Sequence, residues 1–290
     1  MSSSTAPPLP PALAERLSRW IDAAATRESL RFPEIRSGVR ALSSRYVEGR
    51  RRNGIERGAL AGAGLRAAFA SYYAPLHFLT AHAAALALPS AWRAGRSRVV
   101  DLGAGTGAVG AALALACGGA EVLALDRSAW ALEEARRTFA ALGVPGRTRR
   151  VELPAGVPSP RPGDLVAAGF VLNECRPDVR DRLVAQLARA LGAGAHVLVL
   201  EPLARGAAPW WDDVAAALAG CASVPLKWEL ERPDWIARLD DASGLDHREI
   251  GARVLWGPAS EARSEPEANG VTTASEARSE PEANGVIERA

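Results

Sequence analysis

Apolar residues between 12 and 95 recur at helical intervals, first at Leu13, Leu17, Trp20, Ile21 and Ala24 and then from Leu65 through Tyr72, Phe78 and Leu86. This spacing predicts an N-terminal helical region. From Ser97 onward short apolar runs alternate with longer amphipathic stretches, the pattern of an α/β fold. Strands are expected over 98–102, 121–125, 149–153, 165–170 and 196–200, and helices over 108–117, 129–142, 179–191 and 210–219. The segments 225–230 and 248–255 are the two candidates for closing strands.

The end of the chain breaks this pattern. Residues 259–271 read ASEARSEPEANGV and residues 274–286 repeat the same string. So few large apolar residues cannot offset the entropy of ordering the segment, and a disordered tail is expected. The organisation expected is therefore a helical cap over 1–95, a catalytic domain over 96–258 and a tail over 259–290.

The 290 residues are 48% apolar and 23% charged, which fits an ordinary globular protein and excludes collagen-like or mainly disordered chains. Cys117, Cys175 and Cys221 lie far apart without CxxC spacing, so neither a disulfide framework nor a structural zinc site is indicated. The first residues lack the basic start and apolar core of a signal peptide, and no apolar run approaches the ~20 residues of a membrane span. A reducing cytoplasm is the expected setting.

Net charge is +2, but the tail holds seven glutamates and three arginines, which leaves +6 on residues 1–258. Lys227 is the only lysine, and the basic residues concentrate in one stretch, Arg45, Arg50, Arg51, Arg52 and Arg57. That stretch reads as a solvated loop or as a loop facing RNA, and the mild overall charge does not choose between them.

The densest chemical signal follows the first strand of the α/β region. Asp101-Leu102-Gly103-Ala104-Gly105-Thr106-Gly107 places alternating glycines between a strand and the helix expected at Ala108. Such a turn lets a ligand approach the backbone, and the helix start supplies unpaired N–H groups. The next strand ends in Asp126, followed by Arg127, about twenty residues on, where a carboxylate can accept both hydroxyls of a ribose. Residues 105–110 also satisfy GxGxxG, so a nicotinamide cofactor stays open from spacing alone, although such enzymes more often put this loop near the chain start.

Asp101, Gly103, Gly105 and Gly107, with the strand before them, resemble the first motif of class I S-adenosylmethionine-dependent methyltransferases. The resemblance spans about 97–205 and implies a Rossmann-like, parallel-rich sheet of seven strands flanked by helices. It also implies that Asp101 and the backbone from Gly103 to Gly107, Ala104 included, hold the donor, and that Asp126 binds its ribose with Arg127 beside it as a further donor-binding residue. One departure is visible: the acidic residue often found after the third strand is replaced by Pro154 and a proline-rich loop to Pro162, so the adenine contact has no candidate.

On the acceptor side, Asn173 and Glu174 follow the fourth strand, where open α/β sheets place ligands. They are the candidate catalytic pair, Asn173 as a hydrogen-bonding group and Glu174 as a proton acceptor, against the plain alternative of a capped turn. The pattern is not the Asp/Asn-Pro-Pro-aromatic signature of base-amine methylation, and no companion motif supports Cys175 as a nucleophile. Tyr72, Tyr73, Trp210 and Trp211 are the aromatic candidates for a substrate pocket. His77 and His82 lack acidic partners, so metal binding is not expected.

Read together, Val171-Leu172-Asn173-Glu174, Val197 to Pro202, Leu42 to Tyr46 and Tyr72-Tyr73-Ala74-Pro75 are similar to the mitochondrial ribosomal small-subunit methyltransferase-like family. That resemblance implies small-subunit ribosomal RNA, or a precursor of that subunit, as partner. The family's iron–sulfur cysteine cluster is absent, since only Cys221 lies in that region. A small-molecule acceptor and a non-catalytic assembly factor remain the alternatives, and a closed apolar pocket rather than a basic groove would favour the small molecule.

Overall fold

A computed structural model describes residues 4–49, 60–203, 206 and 208–258. Most of the basic stretch, Arg50 to Arg57, and the repeat tail lie outside these residues; Arg45 sits on a helix. In chain order the elements are β1 (Ser4–Thr5), α1 (Pro11–Thr26), α2 (Phe32–Gly49), α3 (Ala63–Ala68), a π-helical turn (Phe69–Tyr73), α4 (Ala74–Ala87), α5 (Ser90–Arg93), β2 (Arg98–Leu102), α6 (Ala108–Ala116), β3 (Glu121–Asp126), α7 (Ala129–Leu142) and β4 (Gly146–Arg150). There follow β5 (Leu165–Gly169), a 3₁₀ turn (Leu172–Glu174), α8 (Pro177–Gly192), β6 (His196–Pro202), α9 (Trp211–Ala217), β7 (Ala222–Glu229), α10 (Asp234–Ser243) and β8 (Glu249–Gly257).

One mixed sheet runs in the order β1-β7-β8-β6-β5-β2-β3-β4, the Rossmann-like arrangement of seven strands with the two-residue β1 added at an edge. Among the described residues β8 alone runs against its neighbours, pairing antiparallel with both β6 and β7. The chain winds outward from β2 through β3 to β4, then returns to β5 on the other side of β2. The carboxyl ends of β2 and β5 therefore part at the reversal, which is where such sheets bind ligands.

The buried strands are apolar without alternation, as a sheet covered on both faces requires. One face packs on α8 and α9 through Leu183, Leu187, Trp211 and Val214. The other packs on α6 and α7, over which the N-terminal helices form a further layer: α1 lies on α7 and α4 on α6. Because α4 is covered on nearly every side, eleven of its fourteen residues are buried. The helical region thus shares one core with the sheet, and Trp92 Nε1 donates to Gly257 O at 3.0 Å across that join.

One expected strand moves. The strand read over 149–153 forms instead at Gly146–Arg150, where Gly-Arg-Thr-Arg-Arg pairs with β3 as an exposed edge strand. An edge strand has little apolar surface to bury, so its sequence lacks the signal that marks the inner strands. The proline-rich loop to Pro162 carries no helix, which brings Val151 and Leu153 to the end of the sheet beside β3.

Candidate active site

The glycine loop forms because β2 must turn sharply into α6 while staying against β3. Gly103 N and Ala104 N both donate to Leu125 O, at 2.8 and 3.0 Å, and Gly107 N donates to Ala104 O at 2.8 Å. Gly103 at φ 68° and Gly105 at φ 52° are left-handed. The two serve different ends. A Cβ on Gly103 would overlap the Val171 side chain, whereas nothing lies within 4 Å of a Cβ on Gly105, whose open side faces the cavity.

Asp126 closes this loop from the end of β3. Its Oδ2 accepts from Gly105 N at 3.0 Å and its Oδ1 from Ser128 N at 2.7 Å. A carboxylate has about four acceptor positions, so both oxygens keep capacity for a diol. Arg127 also lines the cavity and pairs with Glu152 at 3.8 Å. Asp101 is placed differently from the donor contact that the motif implies. It is 1% exposed beneath the loop, does not line the cavity, and its Oδ2 accepts from Gly110 N at 2.9 Å. Burial raises its carboxyl to about 7, with the Asp126 charge adding to the rise and the Gly110 N–H opposing it. Its task is to tie β2 to the first turn of α6.

Asn173 and Glu174 part company. Asn173 does not reach the cavity: its Nδ2 donates to Glu201 Oε2 at 2.7 Å. Leu172 N and Asn173 N donate to Glu201 Oε1 at 2.9 and 3.3 Å, so the fully buried Glu201 at the end of β6 holds the whole 3₁₀ turn. Burial drives Glu201 up to about 8 against those three donors. Nothing in the sequence pairs residue 201 with residue 172; the parallel register of β5 and β6 does. The turn so anchored sends the Glu174 side chain into the cavity. Enclosure by the walls, reinforced by the Asp126 charge, raises its carboxyl to about 7 while Arg127 opposes the shift. The residue surface is open to the cavity, so water solvates this carboxyl until a ligand displaces it.

The cavity itself measures about 670 Å³, within the ~300–1,000 Å³ of small-molecule sites. Its floor is the glycine loop and Asp126, and its roof comes from the helices before the sheet, including Phe69 and His77. The aromatic residues expected there sit elsewhere. Tyr72 is fully buried and donates to Asp240, which also binds His247 and Arg232, while Tyr73 donates to Val39 O. Trp211 donates to Ser223, and Trp210 lies under Arg180. Trp130, Phe69 and Phe170 line the cavity in their place. Cys175 reaches the wall, but burial raises its thiol to about 11, which leaves no thiolate to attack. Among the described residues no cluster suited to a metal ion occurs, and no helix is long and apolar enough to cross a membrane.

Residues 99–194 match the family described as "Methyltransferase domain". No curated protein matches the chain at a significant level. Similar solved structures include the precorrin-6y C5,15-methyltransferase of Geobacter metallireducens, 14% identical over 60% of this chain and 85% of that one, with a TM-score of 0.42. A TehB-like SAM-dependent methyltransferase of Corynebacterium glutamicum is 20% identical over 61% and 86%, with a TM-score of 0.39. The S-adenosylmethionine-dependent methyltransferase SibL, in its apo form, is 22% identical over 74% and 69%, with a TM-score of 0.45.

Proposed function

We propose that this chain, whose residues 99–194 match a methyltransferase domain, transfers the methyl group of S-adenosylmethionine to a small acceptor held in the cavity, with Glu174 receiving the acceptor's proton. The observation that carries this reading is the shape of the site: one partly open cavity of about 670 Å³ joins the glycine loop and Asp126 to a wall of apolar and aromatic residues.

The residues present fit the donor. Gly105 leaves the backbone bare toward the cavity, where a side chain would fill the cradle, and Asp126 is fixed by two backbone N–H groups with acceptor capacity to spare. S-adenosylmethionine supplies an electrophilic methyl on a sulfonium. The protein's part is chiefly to hold an acceptor in line with that methyl, and positioning of this kind supplies much of the rate. Glu174 lines the cavity, where its carboxylate can take a proton as the nucleophile attacks. The Glu201 anchor keeps its turn from drifting.

The ribosomal partner rests on motif resemblance alone. The arginines of β4, at the open edge of the sheet, are already engaged: Arg147 with Glu121, Arg149 with Gly156 O and Arg150 with Arg127 O. The test is calorimetric titration with S-adenosylmethionine, followed by transfer of labelled methyl to small-subunit ribosomal RNA and, separately, to low-mass acceptors. Donor binding with label only in low-mass products is the expected result. Label in the RNA would overturn the small-acceptor reading, and absence of donor binding would overturn the activity.

A further inference from the structure

Three rings, two from consecutive N-terminal elements and one from beyond β5, meet at the roof of the cavity. His77 on α4 stacks on Phe170, just past β5, with centroids 4.4 Å apart and planes 20° from parallel. Phe69 from the π-helical turn meets the same imidazole edge-on at 6.0 Å and 78°. All three line the cavity that Glu174 enters.

Two features set this wall apart from ordinary packing. Phe170 holds φ 59°, a conformation that a bulky L-residue adopts at a cost, and its N–H is pinned to Leu200 O at 2.7 Å. His77 is half-buried at the cavity wall and makes no hydrogen bond through either ring nitrogen among the described residues. An imidazole without a partner that borders the cavity keeps its hydrogen-bonding capacity for a ligand. Burial, with the charge of His247 nearby, lowers its pKa to about 4, so the ring is neutral and presents one N–H donor and one lone pair.

We infer that the acceptor is a planar, uncharged hydroxy-arene laid against Phe170, His77 and Phe69, and that the His77 N–H donates to the hydroxyl oxygen and fixes which lone pair faces the methyl. The hydroxyl proton passes to the Glu174 carboxylate, the oxygen pair forms the O–CH₃ bond, and the C–S bond breaks with its pair returning to sulfur. The products are an aryl methyl ether and S-adenosylhomocysteine, and no further reactant is needed. His77 is then a specificity-determining residue, while Glu174 receives the proton. This inference rests on the donor reading above.

The experiment uses the full chain and its His77→Ala, His77→Gln and Phe69→Leu variants. Calorimetry measures S-adenosylmethionine binding by each, and release of S-adenosylhomocysteine is followed with catechol, para-nitrophenol and the non-planar control cyclohexanol. We expect donor affinity to stay within about twofold across the four proteins, because none of these side chains belongs to the donor floor. Turnover of the planar phenols should fall roughly ten- to hundredfold in kcat/KM for His77→Ala, the size of one lost hydrogen bond and one lost stack. His77→Gln, which keeps an N–H donor, should recover part of that loss, and Phe69→Leu should raise KM more than it lowers kcat. Turnover of neither phenol by the parent protein, equal turnover of cyclohexanol, or unchanged turnover in His77→Ala with the donor bound would overturn the inference alone. Failure of the parent protein to bind the donor would overturn the reading beneath it.

Discussion

Gly103→Ala tests how tightly the donor floor is coupled to the acceptor wall. The new Cβ would overlap Val171 Cγ2 and approach Val171 Cβ to 3.0 Å, so two loops that meet at the cavity would be forced apart. Holding an alanine at φ 68° costs about 1–2 kcal/mol. Overpacking against Val171 adds about 1–3 kcal/mol, while the stiffer unfolded chain returns about 0.4–1 kcal/mol. The net loss expected is about 1–5 kcal/mol. Val171→Ala in the same chain removes the overlapping methyls but leaves the φ cost. Urea unfolding of the parent, both single variants and the double variant therefore forms a cycle with a coupling energy of about 1–3 kcal/mol in the rescuing sense. Donor affinity, read in parallel by calorimetry, should fall in Gly103→Ala and partly return in the double variant. Simple additivity of the two substitutions, within about 0.5 kcal/mol, would show that the loops relax independently and would refute the reasoning.

Asp126→Asn removes the charge and leaves one oxygen for two backbone donors, so S-adenosylmethionine should bind roughly ten- to hundredfold more weakly with only a small drop in melting temperature; unchanged affinity in calorimetry would remove the ribose role. Glu201→Ala strands Leu172 N, Asn173 N and Asn173 Nδ2, and a loss of about 3 kcal/mol or more in denaturant unfolding is expected, partly recovered by Glu201→Gln. His82 is 6% exposed and burial lowers its pKa from 6.5 to about 4. Between those values the unfolded chain binds a proton that the folded chain does not, so stability falls as pH drops through that window, by about 3 kcal/mol in all. His82→Leu should flatten this part of the stability profile, and identical slopes in the two proteins would contradict the assignment.

The glycine loop and the Asp126 that closes it are legible in the sequence because each has a local cause. A glycine at Gly103 or Gly105 is demanded by a turn, and Asp126 ends its own apolar strand. The acceptor wall is not, since its parts meet only in three dimensions. Asn173 and Glu174 look equivalent in the chain, yet Glu201, brought alongside by the register of β5 and β6, claims one and frees the other. His77 drew attention only as a poor metal ligand, because the Phe170 ring it stacks on lies 93 residues away. The edge strand β4 was displaced by three residues for the opposite reason. Val151 and Leu153 carry the apolar signal of a strand but spend it on the cavity wall.

Because the roof of the site precedes its floor in the chain, synthesis delivers the two halves in a fixed order. When α4 leaves the ribosome, the partners that cover it, α6 and β8, have not yet been made. A helix that is apolar on almost every side has no stable place in water. At ~5–20 residues per second, the interval from Ala87 to the end of α6 lasts a few seconds, and to β8 longer still. During that time α4 is an exposed apolar surface, covered among its own native partners only by the π-helical turn and by α1, through Trp20 on Phe78.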